Sequence, residues 1–215
     1  MVEAYRLDRM NGDNYWAKSI QKEMKNVSIA FDYVEEGRDT PPGYTCLPCK
    51  LIFDVKMDLT RKARYVAQGC FGDQNTIGST YTGVVSRESV RIALTYAALH
   101  DLDVFAADVQ NASYLQAPSS EKRWTIAGHE FGSKAGSKML IVRALYGGQL
   151  SSGRDFRNHL RECMKHMGWT FCEADHDVWM RKAMNKEGNY YYEYMLLYTD
   201  DSLCVSENAK EALME

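Results

Sequence analysis

The sequence predicts an α+β domain with a mostly antiparallel sheet and packed helices. Strand-like and helix-like segments are mixed irregularly, without the regular βαβ alternation that accompanies a parallel sheet. Strand segments come in pairs joined by short turn sequences, such as KEGN at 186–189, which is typical of antiparallel hairpins. The helical segments carry apolar residues at helical spacing, which indicates that each packs one face against a core.

Three segments predict helices. The first is NYWAKSIQKEMKNV (14–27), with Asp13 or Asn14 as its N-cap. The second starts at Ser86 and runs through SRESVRIALTYAALH. The third, SSGRDFRNHLRECMKHMG (151–168), ends on a glycine, which commonly terminates a helix. A loop is expected for FGDQNTIGST, because Gly and polar residues dominate it.

The remaining regular segments are short, rich in β-branched and aromatic residues, and bounded by turn residues, which predicts strands. They are KLIFDVKMD (50–58), ARYVAQG (63–69), DVFAADV (103–109), KRWTIAG (122–128), KMLIVRALY (138–146), WTFC (169–172), DVWMR (177–181), YYYEYMLLY (190–198) and SLCVS (202–206).

Charge and hydropathy restrict the functional class. The 215 residues carry a net charge of -3, which argues against a wholly nucleic-acid-binding surface but permits one basic groove. Lys56, Arg61, Lys62 and Arg64 form a local basic cluster. Charge alone favours a solvated strand face for this cluster. No apolar run approaches the roughly 20 residues that span a bilayer, and the N-terminus lacks a signal-peptide pattern, so we expect an intracellular protein without a membrane partner.

Cysteine spacing gives a weak metal signal. Cys46 and Cys49 form a CxxC pair, but a structural zinc site usually needs a second pair or matching histidines. Free thiols are the favoured interpretation.

Three carboxylates give a stronger signal. Asp200 and Asp201 interrupt the apolar runs of a predicted hairpin, and Asp108 ends the run VFAAD. Turn chemistry alone could explain the doublet. If strand 104–109 lies beside the hairpin, however, the three carboxylates converge, and such a cluster is costly unless a cation neutralises it. Mg²⁺ prefers such hard oxygen ligands.

Six motifs, in order along the chain, resemble the reverse transcriptase domain of copia-type retrotransposons. They are FDVKMDLTRKARYVAQG (53–69), TYTGVVSRESVRIALTYAAL (80–99), DVFAADVQNASYLQAP (103–118), VRALYG (142–147), DVWMR (177–181) and YTDDSLCVS (198–206). The segment NYWAKSIQKEMKNVSIAFDYVEEG (14–37) also resembles the lead-in of that domain.

The resemblance implies a right-hand polymerase made of fingers and palm. Residues 1–50 would be a lead-in, 51–102 mainly fingers and 103–215 mainly palm, with no thumb or ribonuclease H. The implied activity is RNA-directed DNA synthesis by two-metal transfer of a nucleotide to a primer 3′-hydroxyl. Implied partners are an RNA or DNA template–primer, deoxynucleoside triphosphates and the remainder of a polyprotein. The implied location is a cytoplasmic virus-like particle or the nucleus.

The resemblance also implies site residues. Asp108, Asp200 and Asp201 would be catalytic and would bind Mg²⁺, or alternatively Mn²⁺, together with the carbonyl of Val109. Tyr198 would lie near the primer end. The implied nucleotide-binding residues are Lys62, Arg64, Tyr114 and Gly147.

Three departures from the family pattern predict impaired activity. Ser113 places Tyr114, the expected steric gate against ribonucleotides, one position late. The loop after Gly147 continues with Gly-Gln-Leu (148–150) and lacks the family's lysine. Gly83 stands where proline is common and should loosen the lead-in to the second helix.

The sequence leaves two alternatives to a polymerase fragment of reduced activity. One is a catalytically dead nucleic-acid-binding or assembly module that retains the polymerase fold. The other is a remnant that barely folds.

Overall fold

A computed structural model of the chain describes residues 1–69, 83–109, 116–145 and 151–214. The loop predicted at 71–80 lies outside these residues. Contacts within the chain define two compact units. The first unit is Met1–Thr80 with Ala112–Phe156, and the second unit is Tyr81–Asn111 with Arg157–Glu215. Each unit is therefore assembled from two separate stretches of sequence.

The described elements are helices and short strands. The helices are α1 (Val2–Asn11), α2 (Tyr15–Val27), α3 (Arg87–Leu99), α4 (Ser152–His166) and α5 (Ala209–Met214), with short 3-10 helices at Ser28–Ala30 and His129–Lys134. The strands are β1 (Phe31–Tyr33), β2 (Thr45–Cys46), β3 (Cys49–Val55), β4 (Arg61–Ala67), β5 (Asp103–Asp108), β6 (Pro118–Ile126), β7 (Lys138–Arg143), β8 (Thr170–Phe171), β9 (Val178–Met184), β10 (Tyr190–Tyr198) and β11 (Asp201–Ser206).

The first unit contains a four-stranded sheet of order β1-β7-β6-β2 and a separate β3–β4 hairpin. Among its described strands only β2 and β6 pair in parallel. Phe31, Tyr65 and Phe131 pack edge to face, with ring centroids 5.4–5.8 Å apart. These rings join the hairpin to a core that includes Val27, Leu47, Met139, Ile141 and Leu145.

Helix α1 was not predicted, because its sequence VEAYRLDRMN has no side-chain N-cap and only a short apolar stripe. Its residue Asp8 caps the N-terminus of α2. The expected caps were Asp13 or Asn14, but the Asp8 carboxylate accepts hydrogen bonds from Trp16 N–H at 3.0 Å and Ala17 N–H at 2.9 Å. Asn14 occupies the N-cap position without a side-chain hydrogen bond. A carboxylate from the preceding helix thus satisfies the free amides of α2.

The second unit is built on an antiparallel sheet of order β5-β11-β10-β9-β8. Adjacent residues of β10 face opposite sides, which separates Leu196 from Met195 and Leu197. Leu196 joins the cluster that contains Ala93 and Ala97 of α3. Met195 and Leu197 join the cluster that contains Met164 of α4 and Ala209 and Ala212 of α5. Helices therefore cover both faces of this sheet.

Local sequence signals define several boundaries as predicted. The Ser86 hydroxyl accepts a hydrogen bond from Ser89 N–H at 3.1 Å and caps α3. Gly168, with φ of 81°, follows the end of α4. The β9–β10 turn contains Gly188, with φ of 84°.

Candidate active site

Strand pairing places two of the three predicted carboxylates opposite each other. In the second unit β5 pairs antiparallel with β11, with Asp108 aligned to Asp201 and Asp103 aligned to Ser206. The expectation that strand 104–109 lies beside the hairpin is therefore confirmed. Residues that are distant in the sequence meet at one end of the sheet.

The hydrogen-bond pattern fixes how closely these positions approach. Val109 N–H donates to the Asp200 carbonyl at 2.6 Å. Because hydrogen-bonded and non-hydrogen-bonded pairs alternate in an antiparallel ladder, Asp108 and Asp201 form the adjacent non-hydrogen-bonded pair, where Cα atoms lie about 4.5 Å apart. Directly opposed residues project from the same face of the sheet. The Asp108 and Asp201 side chains consequently share one face.

The hairpin tip has an unusual backbone. Tyr198 aligns with Asp201, which leaves Thr199 and Asp200 as a two-residue loop. Thr199 has φ of 56°, in the left-handed region that β-branched residues rarely occupy. Sequence reasoning predicted a hairpin here but not the left-handed backbone of Thr199, because a β-branched residue gives no signal for that conformation.

The carboxylates remain accessible. Asp108, Asp201 and Tyr198 are exposed, and Asp200 is half-buried. Within the described residues, no Lys, Arg or His forms an ion pair with Asp108 or Asp201. Two like charges directly across a ladder destabilise it. Among the described residues, the negative charges of Asp108 and Asp201 are therefore not balanced by an ion pair.

The donor chemistry fits a divalent cation. Mg²⁺ binds through one or two carboxylates and keeps the rest of its shell for water and phosphate oxygens, and Asp108 and Asp201 present such a pair. The described side chains contain no group of three or more His, Cys, Asp or Glu that could hold a metal ion together. Two carboxylates would leave most of the coordination shell of such an ion to water and substrate.

Buried polar contacts anchor β10 near its tip. Leu197 N–H donates to the Asp177 carbonyl at 2.9 Å, and Val85 N–H donates to the Leu197 carbonyl at 3.2 Å. The Asp177 carboxylate forms a bidentate ion pair with Arg157, at 2.6–3.0 Å. Sequence reasoning found the DVWMR motif but gave Asp177 no role.

Gly83 lies against this ion pair. A Cβ at residue 83 would be 3.0 Å from both Arg157 Nη2 and Asp177 Oδ2. Such contacts are tighter than side chains normally make, so glycine permits a close approach of the backbone here. The structure thus gives Gly83 a packing role that the sequence-based expectation of a loosened lead-in did not include.

The predicted phosphate-binding pair lies in the first unit. Lys62 and Arg64 are half-buried on β4, two residues apart and therefore on one face of the strand. Helix α2 packs along β4, where Ser19 Oγ accepts a hydrogen bond from Ala63 N–H and Glu23 Oε1 accepts one from Tyr65 N–H, both at 2.7 Å. Glu23 is a second charged residue that sequence reasoning missed.

Other predicted positions cannot be placed. Tyr114 and Gly147 lie outside the described residues, as do Ser113 and the 148–150 segment. Cys46 and Cys49 both have free thiols. Burial raises the pKa of Cys49 to about 12, which keeps this thiol protonated at neutral pH.

Comparison with known proteins gives one informative similarity. No protein-family model matches the chain. Over 205 residues the chain is 29% identical to the retrovirus-related Pol polyprotein from transposon TNT 1-94 of Nicotiana tabacum. The match covers 91% of this chain and 15% of that polyprotein. This similarity supports a retrotransposon origin. In the part of the chain that the structure describes, no helix is long and apolar enough to cross a membrane.

Proposed function

We propose that this chain is the catalytic portion of a retrotransposon RNA-directed DNA polymerase, which adds deoxynucleotides to a primer 3′-hydroxyl. The alignment of Asp108 with Asp201 at an exposed sheet end is the observation that carries the proposal. Opposed carboxylates that form no ion pair with a basic side chain among the described residues destabilise a ladder, and a bound divalent cation would offset that cost. The retrotransposon similarity and the ordered motifs support the same assignment.

In this proposal the second unit supplies the palm and the β3–β4 hairpin supplies part of the fingers. Asp108, Asp200, Asp201 and the Val109 carbonyl would hold Mg²⁺ or Mn²⁺. Bound divalent cations would activate the primer hydroxyl and stabilise the pyrophosphate leaving group.

The other residues bind and orient the substrates. Lys62 and Arg64 would contact the triphosphate, where a guanidinium offers two parallel donors and an ammonium offers a compact charge. Tyr198, exposed beside Asp201, would pack near the primer end. The resemblance also implies nucleotide contacts for Tyr114 and Gly147.

Divalent-ion binding tests the carboxylate site directly. Mn²⁺ titrated into the chain and followed by calorimetry should bind, and Asp108→Asn or Asp201→Asn should weaken binding at least about tenfold, because each removes one of the paired ligands. Asp103→Asn is the matched control, since Asp103 is exposed at the opposite end of β5. Equal Mn²⁺ affinity in all four proteins would contradict the site.

Primer extension tests the reaction. With an RNA template, a DNA primer and Mg²⁺, we expect slow nucleotide incorporation that Asp201→Asn abolishes and Asp103→Asn preserves. Template–primer binding without incorporation or ion binding would instead identify a non-catalytic nucleic-acid-binding module.

A further inference from the structure

Helix α2 covers an open edge of the β3–β4 hairpin. Strand β4 pairs only with β3 among the described strands, so the amides on its other edge need partners. Ser19 and Glu23, one helical turn apart, accept from Ala63 N–H and Tyr65 N–H. One acceptor is a neutral hydroxyl, whereas the other is a carboxylate. Since a neutral hydroxyl satisfies the Ala63 amide, hydrogen bonding alone does not explain why the acceptor for the Tyr65 amide is the charged carboxylate of Glu23.

The carboxylate accepts a hydrogen bond from the amide of Tyr65, the residue that follows Arg64 on β4. Burial raises the pKa of Glu23, while the Tyr65 N–H hydrogen bond and the positive charges of Arg64 and Lys62 act against that rise. Both cations lie on β4, two residues apart, on either side of Ala63. Both cations thus have a negative charge beside them before any ligand arrives.

We propose that Glu23 is the resident counter-anion of Lys62 and Arg64 and sets the affinity of this pair for the phosphates of the incoming nucleotide. The inference rests on the proposed function for the identity of the ligand. A carboxylate held by Tyr65 N–H reduces the net charge that a polyphosphate meets, which weakens its binding. The same repulsion favours departure of the pyrophosphate product.

Polyphosphate binding measures this effect without any polymerase reaction. We titrate inorganic tripolyphosphate into the whole chain by calorimetry at low salt and pH 7.5. Glu23→Gln keeps an oxygen acceptor for Tyr65 N–H and removes the charge, so the affinity should increase about three- to tenfold, as expected for one charge at a partly solvated site. Ser19→Ala is the matched control, because it removes the neighbouring acceptor without changing charge, and its affinity should stay within twofold of wild type.

Proton linkage provides a second readout that a structural role would not change. An arriving polyanion raises the pKa of Glu23 further, so the wild-type protein should take up more protons on binding than Glu23→Gln does between pH 5 and 6. Titrations in buffers of different ionisation enthalpy give the number of protons taken up on binding. Tripolyphosphate's own protonation contributes equally to both proteins and cancels in the difference. If Glu23→Gln does not fold, Glu23→Ala compared with the wild type in the same titrations gives the same difference.

Two results would overturn the inference. The first is a Glu23→Gln affinity and proton uptake equal to those of the wild type. The second is a gain in Glu23→Gln that persists when Lys62→Ala and Arg64→Ala are both added, since the anion would then bind elsewhere. Neither result depends on primer extension. If Glu23→Gln binds tripolyphosphate more tightly but the wild type extends no primer, only the polymerase assignment is overturned. If the wild type extends the primer but Glu23→Gln binds tripolyphosphate no more tightly, only this inference is overturned.

Discussion

Thr199 occupies a backbone conformation that its own side chain disfavours. Its φ of 56° is required because only two residues, Thr199 and Asp200, connect β10 to β11. Tight hairpin loops with positive φ at the first loop position favour glycine there. Backbone strain of this kind costs about 1–3 kcal/mol and persists where surrounding contacts enforce it. The ladder on both sides of the tip supplies such contacts.

Replacing Thr199 by glycine should stabilise the protein. Glycine relieves the strain but loses about 0.5–1 kcal/mol through the greater entropy of the unfolded chain, so we expect a net gain of about 1 kcal/mol in the free energy of unfolding. Urea denaturation followed by circular dichroism measures the gain. Thr40→Gly is the control, because Thr40 lies outside the left-handed region and should lose stability. A loss of stability in Thr199→Gly would show that the conformation is not strained.

The lead-in to α3 is the element that most closely connects packing to the candidate site. Gly83 lies against the Arg157–Asp177 pair, and Val85 N–H bonds to Leu197, two residues before Thr199. The Asp175 carboxylate then accepts hydrogen bonds from Ser86 N–H at 2.9 Å and Ser89 Oγ at 2.6 Å. The loop 173–177 and the lead-in to α3 therefore hold both the start of α3 and the end of β10 in place.

Asp175 should make this attachment sensitive to acid. Burial raises the pKa of Asp175, but hydrogen bonds from Ser89, Ser86 and the Asp177 amide outweigh it and lower the pKa below its ordinary 3.8. Because the folded pKa lies below the unfolded one, the stabilisation is complete above about pH 5 and disappears as pH falls below 3.8 toward the folded pKa. Asp175→Ala should cost about 1 kcal/mol at pH 7.

Free energies of unfolding measured from pH 7 to pH 3 test whether the stabilisation by Asp175 falls as the pH falls. The difference in the free energy of unfolding between the wild type and Asp175→Ala should decrease toward pH 3. Glu173→Ala is the matched control, because Glu173 is an exposed acid in the same loop. A difference that stays constant down to pH 3 would contradict the role of the ionised carboxylate.

Elements with local signals were predictable, whereas contacts between distant segments were not. Ser86 and Gly168 mark helix ends through their own backbone and side-chain chemistry. The pairing of Asp108 with the hairpin could be predicted only by assuming that the strands are neighbours. The cap of α2 by Asp8 and the cover of β4 by Ser19 and Glu23 depend on tertiary packing, so no spacing in the sequence indicates them. The left-handed Thr199 opposes the intrinsic preference of its residue type.

Across the whole molecule, charge is divided unequally between the two units. The first unit carries 17 Lys and Arg against 14 Asp and Glu, a net charge of +3, whereas the second carries 9 against 15, a net charge of -6. The overall value of -3 therefore conceals a basic half and an acidic half. We expect phosphate contacts to come mainly from the first unit, while the acidic second unit needs cations before it tolerates a polyanion.

Salt dependence should reveal this division. Binding of a fluorescent RNA–DNA duplex is measured by anisotropy from 50 to 300 mM NaCl. The logarithm of the binding constant should fall linearly with the logarithm of the salt concentration. Lys62→Ala should reduce the slope by about 0.9, the amount expected for one neutralised phosphate. Lys210→Ala, in α5 of the second unit, should leave the slope unchanged. An equal reduction in both variants would mean that phosphate contacts are not concentrated in the first unit.

The amide proton of Val109 offers a way to observe the site without substrate or ion. Its donation to the Asp200 carbonyl is a hydrogen bond between the end of β5 and the hairpin tip. An amide exchanges with solvent deuterons only when its hydrogen bond opens. Its exchange rate therefore measures how often the end of β5 separates from the hairpin tip, and hence how often the unliganded protein loses and regains the alignment of Asp108 with Asp201.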